Sequence, residues 1–370
     1  MNYIFLFFNL LIYCNSFAQN KIPIIKANSI EVAISDDGIL DKNAWVLSPE
    51  TKPDVYVSDR SIQTKWVVFY TDIDSIKVKV NPDTRFDFII LLNNKDTCFT
   101  QIVGAKSIKN TMIDIKNEHD TIPFVLTKYS AIHIKGIVNN LDTLDLHFDL
   151  GSLDFSITNK ALLNDINKIE IGNLTWKNPN VKLTKNVSHG MQGRFGWRVF
   201  DDKIVEIDFD KKLIILHEQL PSFKTVFTKS HIKFIKSLFC IEAAIIINNH
   251  NYIGNFLFDT GSNLAIVIDS VWAVQNNFPD SLKILKKSSF SDGAGRIYQT
   301  SLVTLPSLTI NNHTLNNIPT SILDYSSPVG YQMNYFGNDL LKRFNMIIDL
   351  KKDEIYLKPN DLYYSPYHLN

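Results

Sequence analysis

The sequence is short of the features that mark several classes of protein. It holds 3 cysteines in 370 residues, and no Cys/His spacing in it resembles a metal site. Charge of one sign is not in excess, since 38 Lys and Arg balance 38 Asp and Glu. With no long basic run either, a nucleic-acid partner finds no electrostatic footprint. Glycine is modest, at 14 residues. Beyond the N-terminus no segment is long and apolar enough to span a bilayer. What is left is the composition of a β-rich globular protein, 45% hydrophobic, with enough chain for two or three domains.

Residues 1–18 stand apart. Ile4 to Tyr13 is almost wholly apolar, and Ser16-Phe17-Ala18 is a small-x-small pattern before Gln19. This reads as a secretory signal peptide and implies export to the periplasm or the exterior. The exported chain would keep Cys98 and Cys240. They fall in different expected domains, so buried free thiols are expected rather than a disulfide.

Residues 20–115 read as a separate β-rich domain. Trp66 to Tyr70, Ser75 to Val80 and Phe86 to Leu92 are strand-like, with turns at Asn81-Pro82-Asp83 and Asn93-Asn94-Lys95-Asp96. No catalytic constellation lies there. Asp72 and Asp74 suit a surface turn, and the polar stretch Lys106 to Asp120 reads as a linker.

The remainder is an internal repeat, with one copy over 120–222 and the other over 230–360. Each copy opens with a strand, an Asn-Asn turn and a second strand that ends in Asp. The first gives Asp149-Leu150-Gly151-Ser152, and the second Asp259-Thr260-Gly261-Ser262, 110 residues later (259 − 149). Gly196 and Gly337 follow as a matched pair, each 12 residues before an Asp on an apolar strand (208 − 196, 349 − 337). Asp208 and Asp349 each precede a charged turn and read as structural. The copies differ after the first Asp. The interval to the next shared landmark is 22 residues in copy one (171 − 149) and 51 in copy two (310 − 259). The extra residues of copy two include Ser291 to Arg296, a Gly-rich segment suited to the tip of a β-hairpin.

An apolar strand running into Asp-Thr-Gly-Ser, a Gly-tipped hairpin, then Tyr335-Phe336-Gly337 resembles an aspartic protease of the retropepsin/pepsin type. The repeat resembles two retropepsin-like halves fused in one chain, as in exported bacterial proteins of this kind. The resemblance implies an all-β, pseudo-two-fold bilobal fold of double-psi-type β-barrels, preceded by the small β-rich domain. It implies an aspartic endopeptidase whose dyad, Asp149 and Asp259, shares one proton and activates a water. Gly151 and Gly261 would let the backbone pass close to the carboxylates in unusual φ/ψ. Ser152 and Ser262 would bond the outer carboxylate oxygens, and Thr260 would tie one loop to the other. Gly293, Ala294 and Gly295 would form a flap over an extended peptide or protein substrate. The halves would pair within one chain, as a monomer, with no metal and no cofactor.

One residue departs from that pattern. Leu150 stands where Thr or Ser is expected, so half of the reciprocal tie has no hydroxyl. This keeps open a second reading, a non-catalytic module that binds a peptide or partner. His147 is read as packing or surface, and His189 and Trp197 lie near the cleft end of copy one.

Overall fold

The computed structural model describes residues 22–49, 53–105, 113–114, 119–159, 166–222, 226–291, 295–324 and 333–368. The expected signal peptide, most of the expected linker, and Gly293 and Ala294 of the expected flap lie outside these residues. The chain divides into two units. One comprises the residues up to Ser58 with Lys65–Val80 and Thr84–Val103, and the other comprises Asp59–Thr64, Asn81–Asp83 and everything from Gly104 onward.

The first unit has two four-stranded sheets. In one, Glu31–Asp36 lies between Ile39–Val46 and Lys65–Tyr70, with Ser75–Val80 at the edge. In the other, Arg85–Leu92 and Asp96–Val103 pair at the centre, flanked by Ile24–Ala27 and Asp54–Val57. Alternation explains the layering, since Val32 and Ile34 on one strand and Val67 and Phe69 on its neighbour face inward, with the ion pair of Asp36 and Lys65 on the same buried face. Val32, Ile34, Val67, Phe69, Phe88 and Ile90 form the core, with Phe69 and Phe88 edge-to-face at 5.2 Å. The Asn93-Asn94 turn has φ of 53° at both residues, the left-handed backbone that Asn tolerates in tight hairpins. Asp72 and Asp74 accept backbone N–H groups of Asn28 and Lys26, so they are turn-holding residues, as read from sequence.

The second unit is all-β and built twice. In each copy the Asp strand pairs in parallel with the short strand that ends at or just before the matched glycine. Asp142–Phe148 pairs with Gly193–Phe195, and His250–Asp259 pairs with Asn334–Gly337. That short strand also pairs antiparallel with a third, Phe155–Ile157 or Ile266–Ile268. The glycines match because the chain is crowded there. A Cβ on Gly196 would come within 1.9 Å of Ser152 O, and one on Gly337 within 2.1 Å of Leu264 O. Each glycine begins a helical turn, Trp197–Phe200 or Asn338–Leu341. Behind each Asp strand sits the same aromatic pair, Phe148 with Phe195 at 5.0 Å and Phe258 with Phe336 at 6.1 Å. All four rings are buried, and each contributes about 1.5–3 kcal/mol by leaving water.

A six-stranded sheet joins the copies, in the order His119–Pro123, Leu213–His217, Ile204–Asp208, Phe344–Asp349, Glu354–Pro359, Thr228–His231. Its central ladder sets Glu206 opposite Ile347. These two residues are repeat equivalents, as are Asp208 and Asp349 (347 − 206 = 349 − 208 = 141). A residue that pairs with its own equivalent lies on a two-fold axis. The bilobal, pseudo-two-fold architecture expected from the repeat is therefore the one observed.

Candidate active site

The two Asp loops meet between the halves. Strand pairing brings each Asp to the end of a buried strand, and the missing side chains of the glycines allow contact. A Cβ on Gly261 would fall 2.7 Å from Asp149 Cγ, and one on Gly151 would fall 2.9 Å from Asp259 Oδ1. Each loop's glycine thus faces the other loop's carboxylate. Neither has a positive φ, so these positions need glycine for close approach rather than for a left-handed backbone.

The carboxyl groups of Asp149 and Asp259 face each other, since a Cβ on Gly151 would lie 2.9 Å from Asp259 Oδ1 and 3.1 Å from Asp149 Oδ1. Asp149 also accepts Gly151 N–H at 2.9 Å on Oδ1 and Ser152 Oγ–H at 2.7 Å on Oδ2. Arg194 Nη1 stands 3.5 Å from the same Oδ2. Asp259 accepts the N–H groups of Gly261 and Ser262 on Oδ1, at 3.0 and 3.1 Å. Ser152 therefore bonds its carboxylate through the hydroxyl, as expected. Ser262 does so through its backbone, and its Oγ accepts Leu264 N–H at 3.3 Å. Burial pushes the Asp259 carboxyl above the usual range, the neighbouring Asp149 charge raises it further, and Arg194 opposes both.

The tie between the loops is one-sided in hydroxyls but not in number. Thr260, fully buried, donates from Oγ1 to Phe148 O at 3.0 Å and accepts Leu150 N–H at 2.9 Å. Leu150 fills a place in the apolar core instead. A second bond crosses the loops from the other side, because His147 Nε2 lies 3.1 Å from Thr260 O. His147 is 1% exposed. Burial holds its imidazole down at about 4, against the pull of Asp149, with His189 and Arg194 adding to the depression. A neutral ring with its proton on Nε2 satisfies that carbonyl.

His147 and Arg194 are the site residues that the sequence reading missed. His147 sits two residues before Asp149, and residues i and i+2 share a face of a strand. Parity was the signal, and it points His147 toward the dyad side, not away from it. Arg194 lies opposite His147 in the strand ladder. It is a charged residue between buried Gly193 and Phe195, where its repeat equivalent is Tyr335 (194 + 141). Of the cleft-end candidates, His189 stacks on Tyr129 at 5.0 Å and lies 6.1 Å from His147. Trp197 is not a cleft residue. It is buried, donates Nε1–H to Ser237 O at 3.2 Å and packs on Phe234.

The segment expected to cover the site is a hairpin. Lys286–Ser291 pairs with the first half of Ile297–Ile310, and Phe290 stacks on Tyr298 at 5.6 Å. Gly295 at its tip has a φ of +79°, which a side chain would disfavour. Among the described residues copy one has no such hairpin. Asp208 holds its own turn, accepting Lys211 N–H at 2.9 Å and pairing with Lys211 Nζ at 3.0 Å. Asp349 does likewise with Lys351 N–H at 3.0 Å. Cys98 and Cys240 are both free and buried. Among the described residues no group of His, Cys, Asp and Glu is arranged to hold a metal, and no helix is long and apolar enough to cross a membrane.

No family model matches the sequence, and no curated protein matches it. Among solved structures, an aspartic proteinase from Irpex lacteus is similar at 12% identity and a TM-score of 0.45. The alignment covers 68% of this chain and 100% of that one.

Proposed function

We propose that the protein is an aspartic endopeptidase with Asp149 and Asp259 as its dyad. The observation that carries this reading is the meeting of two carboxyl groups on repeat-related loops, each against the other loop's glycine. Two carboxylates so close cannot both ionise cheaply, so the pair keeps one proton over a wide pH range. Three donors face Asp149, while two backbone N–H groups on a single oxygen face Asp259. Asp259 is therefore the better seat for the proton. In the forward step Asp149 removes a proton from a water as its oxygen adds to the peptide carbonyl carbon. Asp259 gives its proton to the carbonyl oxygen. Collapse of the tetrahedral diol breaks the C–N bond, and the amine leaves with a proton returned through the dyad.

The Phe290–Tyr298 hairpin suits closure over an extended peptide, which would add as a strand. A signal peptide over residues 1–18 would send the enzyme out of the cell interior. The purified chain is expected to cut an unfolded polypeptide at acidic pH, to be blocked by a statine-type inhibitor, and to lose turnover in Asp259→Asn. Identical behaviour of wild type and Asp259→Asn on a broad peptide library rules the reading out. Leu150 favours one alternative, a peptide-binding module without turnover. Inhibitor binding with no cleavage under any condition would select it.

A further inference from the structure

Arg194 makes fewer contacts than the other well-packed arginines of the second unit, although Arg343 too has buried nitrogens without a partner among the described residues. Arg60 contacts two carboxylates and a carbonyl. Arg198 forms a two-pronged pair with Asp154. Arg343 donates to three carbonyls. Arg194 makes one long contact, from Nη1 to Asp149 Oδ2 at 3.5 Å, and its buried Nε has no partner among the described residues. A guanidinium carries five donors in a planar fork matched to a carboxylate. Here most of that capacity is unused among the described residues.

Its position gives the unused donors a use. Strand alternation sends Gly193 and Phe195 into the core and Arg194 to the side of the dyad. The side chain keeps 27% of its surface exposed, while Asp149 beside it keeps 6%. Asp149 engages it through Nη1 alone, at 3.5 Å, on the Oδ2 that also takes the Ser152 hydroxyl at 2.7 Å. Across the pseudo-two-fold axis the equivalent residue is the neutral Tyr335, so the charge lies on one side of the reacting centre only.

Resting on the endopeptidase reading, we infer that Arg194 forms an anion-binding subsite beside the dyad, which takes a peptide carboxylate next to the scissile bond. The carboxylate is that of an Asp or Glu side chain, bound by the fork of the guanidinium. A free chain terminus is the other source of the same chemistry.

The test uses the full exported chain and matched peptides with blocked ends, carrying Glu or Gln on either side of one cleavable bond. A third peptide has a neutral residue there and a free terminal carboxylate one residue beyond. A charge-assisted pair of this kind gives a preference of about tenfold or more. At pH 6 the wild type should cut the Glu peptide at least about tenfold faster than its Gln twin in kcat/KM. In Arg194→Gln the ratio should fall to about one, and Arg194→Lys should keep part of it. The preference should also shrink below about pH 4, where the Glu side chain becomes neutral. Comparing ratios within one variant cancels any general loss of activity. A wild-type ratio near one, or a ratio that survives Arg194→Gln, overturns the subsite while leaving the protease reading intact. Preference for the third peptide over the Glu peptide reassigns the subsite to chain termini and overturns the side-chain assignment. If no peptide is cut, the endopeptidase reading fails instead. The subsite is then decided by the same Glu-to-Gln ratio in dissociation constants, measured by fluorescence anisotropy on wild type and Arg194→Gln.

Discussion

Replacing Arg60 by Leu should destabilise the second unit more than any change on its surface. Arg60 belongs to the short segment Asp59–Thr64, which lies between strands of the first unit in sequence but packs as part of the second. Its Nη2 is 2.7 Å from Asp201 Oδ1 and 2.6 Å from Leu350 O, and its Nη1 contacts Asp353 Oδ1. Asp201 follows the helical turn of the first copy, and Asp353 sits in the last turn of the second. One guanidinium therefore neutralises a carboxylate from each half. It also lies over Phe234 at 4.7 Å and Trp197 at 5.6 Å. Side-chain exposure is 14% for Arg60, 5% for Asp201 and 11% for Asp353, so solvent screens little of this.

Removing one partner of such a pair leaves buried charge uncompensated, at a cost of about 3–5 kcal/mol. Here two like charges are left facing each other. A unit of this size loses about 2 °C per kcal/mol, so Tm should fall by about 6–10 °C at pH 7. The loss should depend on pH with a definite sign. Burial raises both carboxyls above their ordinary range despite the pull of Arg60. A raised carboxyl favours the folded state at low pH, and that contribution is lost as pH rises through the folded value. Without Arg60 the rise is larger, so the deficit should grow from pH 4 to pH 7. Adding Asp201→Asn and Asp353→Asn to Arg60→Leu should restore much of the loss at pH 7. Calorimetry of the single and triple variants at both pH values decides the matter. A shift under about 2 °C at pH 7, or one equal at pH 4, would refute the argument. The same contacts bear on the N-terminal region. A chain begun at Gly104 lacks Arg60, so it should unfold at lower temperature than the whole chain.

Three further outcomes follow from the dyad loops. His147→Leu removes the 3.1 Å bond to Thr260 O and should lower kcat by about tenfold or more with little change in KM, since misplacement by about 1 Å can cost a hundredfold; His147→Gln, which keeps a donor, should recover part of it in steady-state assays. Leu150→Thr should not raise kcat/KM, and it should lower stability, because a fully buried Leu is worth about 1.5–3 kcal/mol against about 1 kcal/mol for one added hydrogen bond; a more active and more stable Leu150→Thr would show that the missing hydroxyl is a defect. Activity should fall as pH rises through the elevated Asp259 value, because the dyad then loses its shared proton, and a pH–rate profile rising steadily to pH 9 would contradict a shared-proton dyad.

The repeat was legible because it is written in several registers at once. The Asp loops, the matched glycines and the apolar strands behind them recur at fixed intervals, and each has a local physical cause. Gly196 and Gly337 are glycines because backbone passes within 2.2 Å of where a Cβ would sit. The Asn-Asn turns are legible for the same reason, since φ is positive at all four of Asn139, Asn140, Asn248 and Asn249. Arg60 was not legible. Its partners are 141 and 293 residues away, and no local pattern distinguishes a buried bridging arginine from a solvated one. Ser262 was misjudged because a motif names a residue without saying whether its hydroxyl or its backbone will be used.

The Leu150 position shows where motif and geometry part. In the sequence it is the absence of one hydroxyl from a reciprocal pair. In the structure the tie still crosses in both directions, because His147 reaches Thr260 O from the strand that carries Asp149. The exchange has a consequence that a second threonine would not bring, since a hydroxyl does not titrate and an imidazole does. His147 donates to a carbonyl as a neutral ring, and burial keeps it neutral down to about 4. Its folded value lies below its unfolded one, so its contribution is complete above about pH 6.5 and is lost as pH falls through the folded value. Protonation would place a charge against Arg194 and His189, opposed by Asp149. The acid limb of activity should therefore break near pH 4 together with loss of thermal stability. In His147→Gln that joint break should vanish while the alkaline limb, set by the dyad, stays in place.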